Sequence, residues 1–124
     1  PSGAVRTSEP PSLRDALEFS AARAESLLVD QPAVRGALLA AIAPAFHSLG
    51  EWIRERELLV EAERLQREAL GNHDPARALT LHQLAQLELY IGTAEQAEAY
   101  LREALRLIER HGSYRGLSAA NLQY

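Results

Sequence analysis

The chain repeats itself. Displaced by 42 positions, residues 36–68 fall on 78–110 with eight identities and no gap. Leu39 meets Leu81, Ala43 meets Ala85, Gly50 meets Gly92 and Leu59 meets Leu101. Glu61 meets Glu103, Ala62 meets Ala104, Arg64 meets Arg106 and Leu65 meets Leu107. A displacement of 35 matches Arg67-Glu68-Ala69-Leu70 to Arg102-Glu103-Ala104-Leu105 but leaves the two glycines out of register. A fixed period of this size marks stacked supersecondary units, because one unit alone cannot bury its apolar faces. The shared positions have distinct physical jobs. Alanines let the helices of a pair approach closely, leucines fill the space between neighbouring pairs, and the glycines make the turn inside each pair.

The repeated unit is helical. Ala and Leu supply 22 and 21 of 124 residues, both are strong helix formers, and β-branched residues are scarce. Ser12 offers an N-cap with Asp15 three residues on. Leu13, Ala16, Leu17, Ala21, Ala24, Leu27 and Leu28 then recur at helical spacing, predicting a helix over 13–29. A second helix over 32–49 starts on Pro32, carries Val34, Leu38, Ile42, Phe46 and Leu49, and stops at Gly50. A third over 51–70 turns Trp52, Leu58, Leu59, Ala62, Leu65 and Leu70 inward. A turn at 71–75 leads to a fourth over 76–91. Thr93, with Gln96, caps a fifth that reaches His111. Residues 114–124 read as the start of a sixth, and nothing reads as a strand. The expectation is an all-α fold: antiparallel helix pairs stacked as a short right-handed superhelix, about five full helices and a truncated sixth. Residues 1–11 hold three prolines and read as a tail or linker. Within 12–124, a capping helix (12–30) precedes repeat 1 (31–73), repeat 2 (74–113) and the start of a further helix (114–124).

Composition narrows the function. The net charge of −4 argues against a nucleic-acid surface. No apolar run approaches 18 residues, so no membrane insertion is expected. Cys is absent, which removes disulfides, thiolate zinc sites and cysteine nucleophiles. His47, His73, His82 and His111 never pair at the i, i+4 spacing of a helical metal site, so neither a metal nor another cofactor is expected. The carboxylates mostly sit beside arginines at helical spacing, as a solvated ion-paired surface. No nucleophile–base motif is visible, so the chain is read as no enzyme. Absence of Cys fits a reducing, cytoplasmic setting. All 13 basic residues are Arg, which with the alanine load suits a GC-rich bacterial genome. A chain opening on Pro-Ser-Gly without Met is expected to be processed or part of something longer.

Leu84-Ala85, Gly92, Ala97, Leu101 and Ala104-Leu105 resemble the tetratricopeptide repeat (TPR). Phe46, Gly50, Trp52, Leu59 and Ala62 carry the resemblance in the first copy. Glu55 stands where that family usually has a small alanine, and Glu88 and Ala94 where it usually has aromatics. The 42-residue period and Leu70-Gly71-Asn72-His73-Asp74-Pro75 are similar to the longer, kinesin-light-chain-like type. Residues from Ser12-Leu13-Arg14-Asp15 through Asp30-Gln31-Pro32 and Ser48-Leu49-Gly50 resemble the segment that opens C-terminal TPR arrays of bacterial serine/threonine protein kinases. No kinase motif is present in this chain.

The resemblance implies a protein- or peptide-binding module, with a groove built from the first helix of each pair. Its positions are His47 and Ser48 in one copy and Leu79, His82, Gln83, Gln86, Leu89 and Tyr90 in the other, beside Ala37, Ala40, Ala41 and Pro44. None is Lys or Arg, so capture of a partner's C-terminal carboxylate is not expected. An apolar or aromatic segment, or a helix laid in the groove, fits better. Pro44 should kink its helix. Two other functions compete: a sensor for a small molecule or signalling peptide, and a self-associating architectural piece. For the latter, Tyr114, Leu117, Leu122 and Tyr124 on an exposed C-terminal helix would form a homodimer contact. Leu89→Glu is expected to leave helicity and melting nearly unchanged by circular dichroism. A collapse in stability would place Leu89 in the core instead.

Overall fold

The computed structural model describes residues 12–70 and 75–111. Five helices follow one another: α1 (Leu13–Leu27), α2 (Pro32–Ser48), α3 (Trp52–Leu70), α4 (Ala76–Ile91) and α5 (Ala94–His111). No strand occurs among the described residues. The proposed sixth helix, with Tyr114, Leu117, Leu122 and Tyr124, lies outside them.

Local chemistry sets the boundaries. Asp15 N–H donates to Ser12 Oγ at 3.1 Å and Ser12 N–H donates back to the Asp15 carboxylate, a complete capping box. Thr93 Oγ1 accepts from Gln96 N–H at 3.1 Å at the start of α5. After α2 the chain reverses through a Schellman turn. Gly50 N–H donates to the His47 carbonyl and Glu51 N–H to that of Phe46, both at 2.9 Å. Gly50 takes φ of 74°, the left-handed region that glycine enters without strain. Gly92, its partner in the repeat, does something different. Its φ is −123°, and a Cβ there would collide with the Glu88 carboxylate. One glycine serves backbone conformation and the other serves space.

The contacts fix helix directions. The start of α2, at Gly36, touches the far part of α3, at Ala62 and Gln66. The end of α2, at His47, touches the start of α3, at Glu55. The two helices are therefore antiparallel. Arg77 and Ala78 of α4 lie against Glu103 and Ala104 of α5, so that pair is antiparallel too. The first hairpin is α2–α3 and the second is α4–α5. They join through α3 and α4, which face each other at Arg56–Glu88 and Arg77–Glu63.

The main core holds Leu39, Ile42, Ala43 and Phe46 of α2 and Leu58, Leu59, Ala62 and Leu65 of α3. Leu84 and Leu87 of α4 and Ala21 of α1 complete it. A second cluster joins Ala78 and Leu81 to Ala104 and Leu107, with Tyr100 touching both. Each fully buried Leu or Phe contributes roughly 1.5–3 kcal/mol through removal of apolar surface from water. At Gly36 the two helices approach so closely that a Cβ would sit 3.1 Å from the Ala62 carbonyl oxygen.

Some inward assignments are corrected. On α2 the buried stripe is Gly36, Leu39, Ile42, Ala43 and Phe46, while Val34, Leu38 and Leu49 are exposed. This helix is apolar nearly all round, so periodicity alone cannot choose its inner face. Leu13 and Leu27 are exposed because α1 sits at the edge and buries only Ala21 and Ala24. Leu101, unlike Leu59, faces outward, with no later helix described beyond it. Glu55, whose place beside Arg54 and Arg56 suggests a solvated surface, is buried, and so are Glu63, Arg77 and Glu88.

Ion pairs tie α1 to α3. Arg54 Nε and Nη2 grip the Glu18 carboxylate at 2.8–3.1 Å, and Arg14 bonds Glu51. The Arg54 guanidinium holds the Glu18 carboxyl below its ordinary value of 4.5. The folded-state value is thus below the unfolded one. The pair's stabilisation is complete above the unfolded value and is lost as pH falls through the folded one. Glu18→Gln should therefore lower melting temperature at pH 7 and flatten its decline below pH 4.5. Parallel acid curves for variant and wild type would contradict this. Gly50→Ala should cost about 1 kcal/mol from the left-handed backbone alone. Gly36→Val, which forces the α2–α3 seam apart, should cost more, about 1–3 kcal/mol in urea melts.

Candidate interaction cleft

The first helices of the two hairpins run side by side in the same direction. Gln83 of α4 reaches Ala40 of α2, and Tyr90 of α4 reaches His47 of α2. Both contacts join residues 43 positions apart. Between them opens a cleft of about 590 Å³. Pro44, His47 and Ser48 form one wall, Gln83, Gln86, Leu87, Leu89 and Tyr90 the other, and Glu55 of α3 lies at one end.

The Schellman turn builds that end. By folding α3 back on α2, it places Glu55 against His47 eight residues earlier. His47 Nδ1 lies 2.9 Å from Glu55 Oε1. Glu55 is only 7% exposed. Trp52 stands at the first turn of α3, 38% exposed rather than inward. Its ring lies 5.9 Å from that of Tyr90 and 6.1 Å from that of His47, and the His47 and Tyr90 rings meet edge-on at 5.1 Å. The three rings form one cluster joined to a buried carboxylate.

Pro44 accounts for the middle of the cleft. A proline has no N–H, so the Ala40 carbonyl one turn earlier loses its helical donor. Gln83 Nε2 donates to that carbonyl across the cleft at 3.4 Å. α2 continues as helix through Pro44 without interruption. Gln83 is therefore a strut between hairpins as well as part of the wall. Ser48 Oγ donates to the Pro44 carbonyl, not to His47.

Six of the eight residues read from the sequence meet here: His47, Ser48, Gln83, Gln86, Leu89 and Tyr90. Leu89 and Tyr90 are 66% and 65% exposed. Leu79 and His82 do not join them. They border a second hollow of about 480 Å³ between α4 and α5, with Ala78, Leu101, Leu105 and Ile108. His47 and His82 thus belong to different surfaces. Trp52 and Glu55 were not among the predicted groove residues. Displacement by 42 sets Glu55 on Ala97, which is buried, so the repeat itself carried the signal for an inward Glu55.

The second hairpin's other side is charged. Arg77, 3% exposed, bonds Glu63 at 2.7 Å, which also binds Arg67. Burial, then the nearby Glu88 and Glu63, hold the Tyr100 hydroxyl above its ordinary value. Among the described residues no helix is long and apolar enough to cross a membrane. No protein-family profile matches the chain, and no curated protein matches it significantly.

Gln83→Met should cost about 0.5–1.5 kcal/mol in wild type by leaving the Ala40 carbonyl unpaired. In a Pro44→Ala background, where a backbone N–H returns to that carbonyl, it should cost much less. Equal costs in the two backgrounds would show that the glutamine does not serve the proline's gap.

Proposed function

We propose that the chain is a non-catalytic protein-interaction module of TPR-like type. In this reading α1 caps two successive repeats of a right-handed superhelix, and the α2–α4 cleft receives an extended segment or helix of a partner protein. One observation carries the reading: Leu89 and Tyr90 stand about two-thirds exposed beside the cleft. Large apolar side chains clustered at a concave surface favour use in recognition. The parallel course of α2 and α4, with contacts about one repeat apart, supports the repeat architecture. A cleft already formed also binds without the ordering cost a flexible site would carry. The likeness of residues 12–50 to kinase-associated arrays supports placing the module in a larger cytoplasmic bacterial signalling protein, such as a serine/threonine kinase, in a regulatory part.

A second reading has its own support. The α4–α5 hollow is lined almost wholly by apolar groups, including Leu79, Leu101, Leu105 and Ile108. That favours packing of a further helix or a second copy there. Mass rising with concentration by light scattering, and falling back to 13.7 kDa in Leu105→Glu, would establish self-association.

The cleft is tested by selecting peptides from a random display library on the full chain. Selected peptides should bind Leu89→Glu at least about tenfold more weakly, a loss of about 1.4 kcal/mol. They should bind Leu101→Glu, altered at the far hollow, as they bind wild type. Peptides indifferent to Leu89→Glu would contradict the assignment.

A further inference from the structure

We propose that the cleft takes an arginine side chain of its partner, with the guanidinium on Glu55 and over the Tyr90 ring, which Trp52 backs. This rests on the reading of the cleft as a polypeptide site and adds the chemistry of the occupant. Glu55 is a carboxylate that lines the cleft while more than nine-tenths buried. Its hydrogen bond runs to the His47 imidazole. A carboxylate offers about four acceptor positions, so this bond leaves capacity for a guest donor. The neighbouring arginines are engaged elsewhere: Arg14 with Glu51, Arg54 with Glu18, and Arg56 with Glu88. Among the described residues no arginine lines the cleft. Charge complementarity therefore selects a cation.

The rings select its type. His47, Trp52 and Tyr90 lie within 6.1 Å of one another, and Tyr90 presents most of its surface to solvent. A cation over such a ring is attracted by the negative π face. Guanidinium is planar, sheds water more readily than ammonium and bonds carboxylates in two-pronged fashion, so it can stack and pair at once. The same chemistry argues against an acidic partner, which would meet a buried carboxylate in a chain of net charge −4.

Trp52 is the sole tryptophan, so its emission reports on the site directly. The full chain is titrated with acetyl-Ala-Leu-Arg-Leu-Ala-amide and with the peptide carrying citrulline, uncharged and nearly isosteric, in place of arginine. The arginine peptide should change Trp52 emission saturably, with a half-point at least about tenfold below that of the citrulline peptide. Glu55→Gln, which preserves a bond to His47, should erase that advantage. Tyr90→Leu, at an exposed position that tolerates change, should reduce it even if Glu55→Gln fails to fold. Equal binding of the two peptides would overturn the arginine assignment and leave the polypeptide cleft standing. No change in Trp52 emission with either peptide would also overturn it, and the library selection on Leu89→Glu would then judge the cleft separately.

Discussion

The close approach of α2 to α3 is the constraint on which the rest depends. Gly36 lies almost against the Ala62 backbone, and Ala43 and Ala62 are fully buried on the same seam. Small residues here let the helices draw together until Leu39, Phe46, Leu59 and Leu65 interlock. The tight turn at Gly50 then needs no long loop. It brings the first turn of α3 beside the last turn of α2, and the His47–Glu55 pair follows. α4 completes the core with Leu84 and Leu87, so the second hairpin has one register on the first. The cleft is the gap left between α2 and α4 in that register.

The two hairpins share a backbone plan but not a chemistry. Phe46 is fully buried in the first; its counterpart in the second is Glu88, also buried. Ala97 is buried in the second; its counterpart in the first is Glu55. Each carboxylate therefore occupies a position that the repeat reserves for apolar contact. Burying a charge without a partner is costly, and each has one. Glu88 pairs with Arg56, at the junction of the hairpins, where Gly92 leaves room for it. Glu55 pairs with a histidine at the end of an open cleft. The first arrangement fastens one hairpin to the other. The second leaves a buried acidic group in reach of a guest.

Much of this was legible in the sequence, for identifiable reasons. The helices and their ends were carried by strong local signals: Ser12 with Asp15, Pro32, Gly50 and Thr93. Six cleft residues could be named because the TPR resemblance implies a groove on the first helix of each pair, here α2 and α4. The inner face of α2 could not be read, since a helix apolar on all sides buries whichever stripe its neighbours reach. Nor could the separation of Leu79 and His82 from Leu89 and Tyr90. They share a helix, but the first two lie toward α5 and the last two toward α2. Local charge pattern pointed the wrong way for Glu55, because Arg54 and Arg56 flank it and suggest a solvated surface. The repeat register pointed the right way. The strut from Gln83 to Ala40 depends on a proline and a glutamine from separate hairpins, and no local pattern links them.

The central claim is that the two hairpins dock in one register and so create the cleft. Nuclear Overhauser spectroscopy of the full chain tests it most directly, because three aromatic rings mark the junction. Cross-peaks are predicted between the His47 and Tyr90 rings, whose centroids lie 5.1 Å apart, and between Trp52 and Tyr90 at 5.9 Å. Cross-peaks between His47 and Trp52, both in the first hairpin, with none from either to Tyr90 would contradict it. The hairpins would then each be folded, but not docked in the register that makes the cleft.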